Sequence, residues 1–160
     1  MSNPLLESAK LPPFSSIKPE HIQPAVEQGI ANCRAKIDEV LQNTETFTWD
    51  NLVAPLDDVD DELGKIWSPI SHMNSVVSND EWRAAHDACL PLLSEYGTFV
   101  GQHQGLYQAY KSLAASAEFA SYSQAQKKMI ENSLRDFELS GIGLSDSDKL
   151  RYGELVKRMS

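Results

Sequence analysis

The stretch 78–110, SNDEWRAAHDACLPLLSEYGTFVGQHQGLYQAY, decides the fold. Trp82, Ala85, Cys89, Leu92, Tyr96, Phe99, His103, Leu106 and Tyr110 recur at steps of three and four, the spacing that keeps side chains on one face of a helix. Ser78 and Glu81 stand as a capping box, serine taking an orphan backbone N–H and glutamate reaching back. At 1.5 Å per residue the pattern predicts one helix about 40 Å long, with Pro91 and Gly97 as sites of a kink. His103 falls on its core face, where a hydrogen-bonded buried or half-buried histidine is expected.

Working outward, the same period appears on both sides. Ile22, Val26, Ile30, Cys33, Ile37 and Val40 form a stripe whose first turns hold Pro19 and Pro24. A second stripe, Leu52, Leu56, Val59, Leu63 and Ile66, opens at Thr48 as N-cap, and Pro55 is expected to bend its first turns. Another helix runs from about Ser123 to Leu139 with Ile130, Leu134 and Phe137 inward. Loops are expected near 44–46 and 114–121. No segment shows the period-two alternation of a strand. A spacing near 3.5 implies shallow crossings between long neighbours, so the chain reads as an all-α antiparallel bundle. Before it, residues 1–18 carry Pro4, Pro12 and Pro13 and read as an extended arm pinned by Leu5, Leu6, Leu11, Phe14 and Ile17. The helical domain occupies 19–160.

Composition narrows the function. The 160 residues fit one domain, and 14 basic against 23 acidic side chains give a net charge of −9, the wrong sign for nucleic acid or an anionic membrane surface. The start lacks a basic segment followed by an apolar run, and no run approaches the roughly 18 apolar residues of a membrane span. Cys33 and Cys89 match no zinc spacing and read as small apolar residues in a reducing compartment, which indicates the cytoplasm.

The candidate sites dissolve one by one. Gly141-Ile-Gly143 lacks the third glycine of a dinucleotide loop, since position 146 is Asp, and it follows a helix rather than a strand. It reads as a turn, Gly141 in the left-handed conformation and Ser145 with Asp148 capping the next helix. The acidic run 57–63, DDVDDEL, has Leu63 and Pro69 where a calcium loop beginning at Asp58 needs glycine and glutamate. It reads as a solvated helix face. His21, His72, His86 and His103 form no H-E-x-x-H. His86 and Cys89 share a face at three residues' spacing but lack further ligands. SPISHMNS, 68–75, contains serine and histidine without a nucleophile elbow and reads as a polar corner after a helix-breaking proline. No catalytic, cofactor-binding or metal-ligating residue is assigned.

Four long blocks carry more information than these motifs: LPPFSSIKPEHIQPAV at 11–26, PLDDVDDELGKIWSPISHMNSV at 55–76, LPLLSEYGTFVGQHQGLYQAY at 90–110 and LRDFELSGIGLSDSDKLRYGEL at 134–155. They resemble the N-terminal part of the thimet oligopeptidase family of zinc metallopeptidases. The resemblance implies a mostly helical parent that cuts short peptides in a deep channel between two lobes. It also implies zinc held by an H-E-x-x-H helix and a downstream glutamate, all beyond position 160. The segment is then expected to bind no zinc, to partner the C-terminal catalytic part of its own chain, and to wall the channel. Arg151, Tyr152, Leu155, Val156 and Met159 continue a helix face with no glycine cap or proline stop, so the expectation is a chain cut within its last helix, with Val156 and Met159 exposed and able to self-associate. The rival reading is a stand-alone module that grips a partner helix in a groove beside 78–110.

Overall fold

The computed structural model describes residues 3–7, 11–42, 46–77 and 79–159. Among these there are six α-helices and no strand: α1, Pro19–Gln42; α2, Ala54–Val76; α3, Asp80–Gly101; α4, Gln104–Ala114; α5, Gln124–Leu139; α6, Asp146–Met159. The all-α expectation holds.

Helix directions follow from which residues meet. Between α1 and α2, Cys33 lies against the Val59 carbonyl, while Gly29 faces Leu63 and Ile66. Between α2 and α3, Trp82 Nε1 donates to the Ile70 carbonyl at 3.3 Å, and Tyr96 donates to Asp60 at 2.9 Å. In both pairs one residue number rises as its partner's falls, so the neighbours are antiparallel. Tyr107 and Tyr110 of α4 set their rings edge-on to Phe137 of α5, and Glu95 and Thr98 of α3 meet Lys157 and Gly153 of α6. Helix α1 is the centrepiece, packed along both α2 and α3. Gly29 permits a close approach of α1 to α2, because a Cβ there would sit 2.8 Å from Leu63 Cδ1.

Three apolar clusters fill the body. One joins the arm to α1, the end of α2 and the start of α3 through Ile17, Ile22, Val26, Ile70 and Trp82; a central one holds Cys33, Val59, Leu63 and Tyr96. The third gathers Leu52, Leu106, Leu113, Ile130 and Phe137 under α4 and α5. Full burial of each large aliphatic chain contributes roughly 1.5–3 kcal/mol.

The single helix over 78–110 is corrected: it is two. His103 leaves the helical conformation at φ −78°, ψ 102°, and its side chain accepts from the Leu106 N–H as the N-cap of α4. Its Nδ1 sits 3.2 Å from that nitrogen. The cause of the break is tertiary. Gly101 lies so close to Ser140 that a Cβ would approach it to 2.5 Å, and Gln102 Nε2 donates to the Ser140 carbonyl at 3.0 Å. The end of α3 is thus tied to the end of α5, and the chain turns away. His103 is half-buried and hydrogen-bonded as expected, but it does this as the cap of α4 and not inside a continuous helix. At the other end, Ser78 lies outside the described residues, and Asn79 caps α3 by accepting from Trp82 N–H at 2.8 Å.

The polar corner at 68–75 is also corrected. Helix α2 runs on to Val76 with Pro69 buried inside it. The proline has no N–H for the Lys65 carbonyl, but the inward face Leu63, Ile66, Ile70 continues through it without interruption. Burial outweighs one missing bond. Thr48 does cap, as its spacing indicates, forming a reciprocal box with Asn51; the turn it opens, Trp49–Val53, is π-helical before α2 proper begins.

Within 1–18, Pro4–Leu6 and Phe14–Ser16 form short 3-10 turns. Leu5 and Ile17 are buried, whereas Leu6, Leu11 and Phe14 stay exposed, so two of the five expected pins hold the segment. The loop expected at 44–46 lies outside the described residues except for Thr46. That at 114–121 begins one residue late, since Ala114 closes α4, and contains a 3-10 turn at Glu118–Ser121.

Candidate functional site

The turn at Gly141-Ile-Gly143 is a helix stop. Gly141 has φ +80°, a left-handed value costly for any residue with a Cβ. Its N–H bonds the Glu138 carbonyl and that of Ile142 the Phe137 carbonyl, satisfying the free end of α5. Ser145 Oγ then accepts from Asp148 N–H at 3.2 Å and donates to the Asp148 carboxylate at 2.8 Å, opening α6.

The four histidines sit at four separate places. His21 Nδ1 accepts from Lys18 N–H at 3.1 Å. His72 lies 5.7 Å from the Phe14 ring, and His86 stacks on Trp67 at 4.8 Å with Nδ1 3.0 Å from Asp87. His103 caps α4. Cys89 turns its thiol to the Ala85 carbonyl at 3.4 Å, so the shared face with His86 produces no pair. Among the described residues no group of three or more His, Cys, Asp and Glu side chains is placed to hold a metal ion. The residues present do not fit a zinc centre.

The most connected polar cluster lies between α1, α2 and α3. Tyr96 Oη donates to Asp60 Oδ1 at 2.9 Å, and Cys33 Sγ donates to the Val59 carbonyl at 3.5 Å. Burial, reinforced by the Asp60 charge, pushes the Tyr96 phenol well above its ordinary range. Burial likewise raises the Cys33 thiol and lifts that of Cys89 to about 11, helped by Glu27. A thiolate is the reactive form, so neither cysteine is poised as a nucleophile near neutral pH. On α4, Tyr110 rises to about 12, chiefly from burial, with the Asp60 and Asp57 charges adding and Ser133 opposing.

Two concave regions stand out among the described residues. The larger, ≈ 590 Å³, lies between the arm, α1 and α2 beside Gly29, Leu63 and Pro69. The smaller, ≈ 350 Å³, opens where α2, α3, α4 and α5 diverge, above Val59, Leu106 and Phe137. The smaller lies beside the 78–110 stretch, where a groove was the rival expectation, but the linings of both are assembled from distant segments. The acidic run is split by helical phase: Val59 and Leu63 turn inward, Asp61 pairs outward with Lys65, and Asp60 faces the smaller cleft.

Comparison with known proteins resolves what kind of segment this is. Residues 26–149 match the neurolysin/thimet oligopeptidase N-terminal domain. The chain belongs to the neurolysin/thimet oligopeptidase family. All 160 residues align at 62% identity with oligopeptidase A of Haemophilus influenzae, covering 23% of that protein. Against oligopeptidase A of Salmonella typhimurium the identity is 54%, again over the whole chain and 24% of the relative. An organellar oligopeptidase A of Arabidopsis thaliana shares 29% over 99% of the chain and 20% of its own length. The chain thus spans between a fifth and a quarter of these members of the thimet oligopeptidase family. Among the described residues no helix is long and apolar enough to cross a membrane.

Proposed function

We infer that this chain is the helical scaffold segment of a zinc-dependent oligopeptidase, forming part of the wall of the channel that admits short peptides. The observation that carries the reading is the extent of the match: every residue aligns with oligopeptidase A of Haemophilus influenzae, yet only 23% of that relative is covered. Zinc and the hydrolytic step belong, on this reading, to the rest of a longer polypeptide, and no catalytic residue is assigned here. The chain's own contribution is mechanical. Helix α1 clamped between α2 and α3, and α4 against α5, makes a stiff block. Of the two residues expected to be exposed, Met159 is and Val156 is half-buried; Met159 with Leu150 and Leu155 of α6 offers apolar surface to the remainder, or to a second copy when the segment is alone. A cytoplasmic location agrees with two buried, unpaired cysteines.

The wall assignment is tested by photolabelling the longer polypeptide with a non-cleavable short peptide carrying a benzophenone at one end. Crosslinks within residues 19–159 are expected. Labelling confined to other regions would remove the wall role.

A further inference from the structure

Helix α6 covers only part of the face it lies on. Along α3 the core side is Trp82, Cys89 and Tyr96, all buried. The opposite side, in steps of three and four, is Ala84, Ala88, Pro91, Glu95 and Thr98. Thr98 Cγ2 lies 3.7 Å from where a Cβ on Gly153 would stand, and Glu95 pairs with Lys157. Each step down α3 is matched by a step up α6, an antiparallel seating that begins where Gln102 holds Ser140. Below Glu95, α3 runs on to Asp80, about 22 Å at 1.5 Å per residue. In that stretch Ala84 and Ala88 are exposed.

Helix α6 is short of burial on the matching side. Lys149, Tyr152, Gly153 and Val156 form its half-buried line, and none of its residues is fully buried. Helices of this length draw most of their stability from tertiary packing. Met159, 87% exposed, stands at the edge of that line where the open part of α3 begins. In the same helical phase, positions 160, 163, 164 and 167 of a continued helix fall on the line of Lys149, Tyr152, Gly153 and Val156. With the register fixed by Glu95 and Lys157, position 164 comes opposite Ala88, two turns further along each helix.

We propose that α6 continues past residue 160 and packs antiparallel on the 84–91 side of α3. The occupant is the polypeptide that directly follows this chain. The proposal rests on the reading of the chain as part of a longer oligopeptidase, since it spans 23% and 24% of two bacterial relatives. The match of 26–149 to an N-terminal domain favours missing length on the C-terminal side. A continued helix reaches the open face with no loop to close and no partner to capture, which favours it over a second copy. The consequence is a rigid rod, not a hinge, between this block and the remainder.

The test uses the longer polypeptide. Ala88→Cys with a cysteine at position 164 should be joined within one chain by a short bismaleimide at least about fivefold more fully than Ala88→Cys with a cysteine at 162, which helical phase turns away. The unsubstituted polypeptide gives the background from Cys33 and Cys89. Hydrogen exchange is the second readout: amides 152–159 should be at least about tenfold better protected in the longer polypeptide than in the 160-residue chain. Ala88→Arg should remove most of that gain and leave the melting temperature of the 160-residue chain unchanged, because Ala88 is exposed there. Equal joining at 162 and 164, links only between chains, or equal protection overturns the proposal, even where the photolabel still falls within 19–159. A gene that stops after Ser160 ends both this proposal and the reading beneath it.

Discussion

Replacement of Tyr110 by phenylalanine should change how stability depends on alkali. The ring is 8% exposed and lies 5.7 Å from Phe137. Burial lifts its phenol from 10.0 to about 12. In the unfolded chain the proton leaves near pH 10, whereas the folded chain holds it two units longer, so unfolding releases a proton across that window. The stabilisation is complete below pH 10 and is lost as pH rises towards 12. One pH unit is worth 1.36 kcal/mol, giving a total of roughly 3 kcal/mol for this residue. At pH 7 the variant should lose only about 1 kcal/mol, the ordinary worth of a hydroxyl's hydrogen bond. Urea unfolding followed by circular dichroism at pH 7, 10 and 11.5 separates the two effects. The parent should weaken more steeply than Tyr110→Phe above pH 10, and the curves should cross, leaving the parent about 1 kcal/mol the less stable at pH 11.5. Parallel curves over that range would refute the buried-phenol argument.

Three further outcomes follow from the same packing. Gly141→Ala forces a Cβ into a left-handed position 2.5 Å from Leu144 Cδ1 and should cost about 1–2 kcal/mol, visible as a lower melting temperature; an unchanged melting point would contradict the cap geometry. Leu113→Ala empties a fully buried site beneath α5 and should cost roughly 2–5 kcal/mol in denaturant unfolding, against well under 1 kcal/mol for exposed Leu150→Ala. Cys33 and Cys89 should react with a disulfide reagent at pH 8 far more slowly than a free thiol, and both at full rate in guanidinium, since burial holds each thiol protonated. Rapid reaction of either in the folded chain would show that its surroundings are open.

Much of the fold was legible because the helices bury one face each. The stripes over 22–40 and 130–137 needed no knowledge of their partners: Ile22, Cys33 and Ile130 are fully buried where the period puts them. What escaped depended on contacts between segments. The same three-and-four spacing runs through 101–104, and only the approach of Ser140 to Gly101 shows that the helix must stop there. Pro69 looked like an end because local chemistry treats proline as one, but a continuous inward face carried α2 past it. The lining of the smaller cleft was not readable for a similar reason, since Leu56, Gly97, Leu106 and Phe137 come together only after four helices have packed. Family membership was readable from long blocks spread along the chain, while the short motifs told only of caps and turns, as at Thr48, Gly141 and Ser145.

The central claim is that this segment supports chemistry done elsewhere. It is tested most directly by incubating the purified 160-residue chain with zinc, removing free metal, and measuring bound zinc by mass spectrometry alongside cleavage of a quenched fluorogenic peptide. The account predicts far less than one zinc per chain and no turnover. One tightly held zinc with chelator-sensitive cleavage would contradict it.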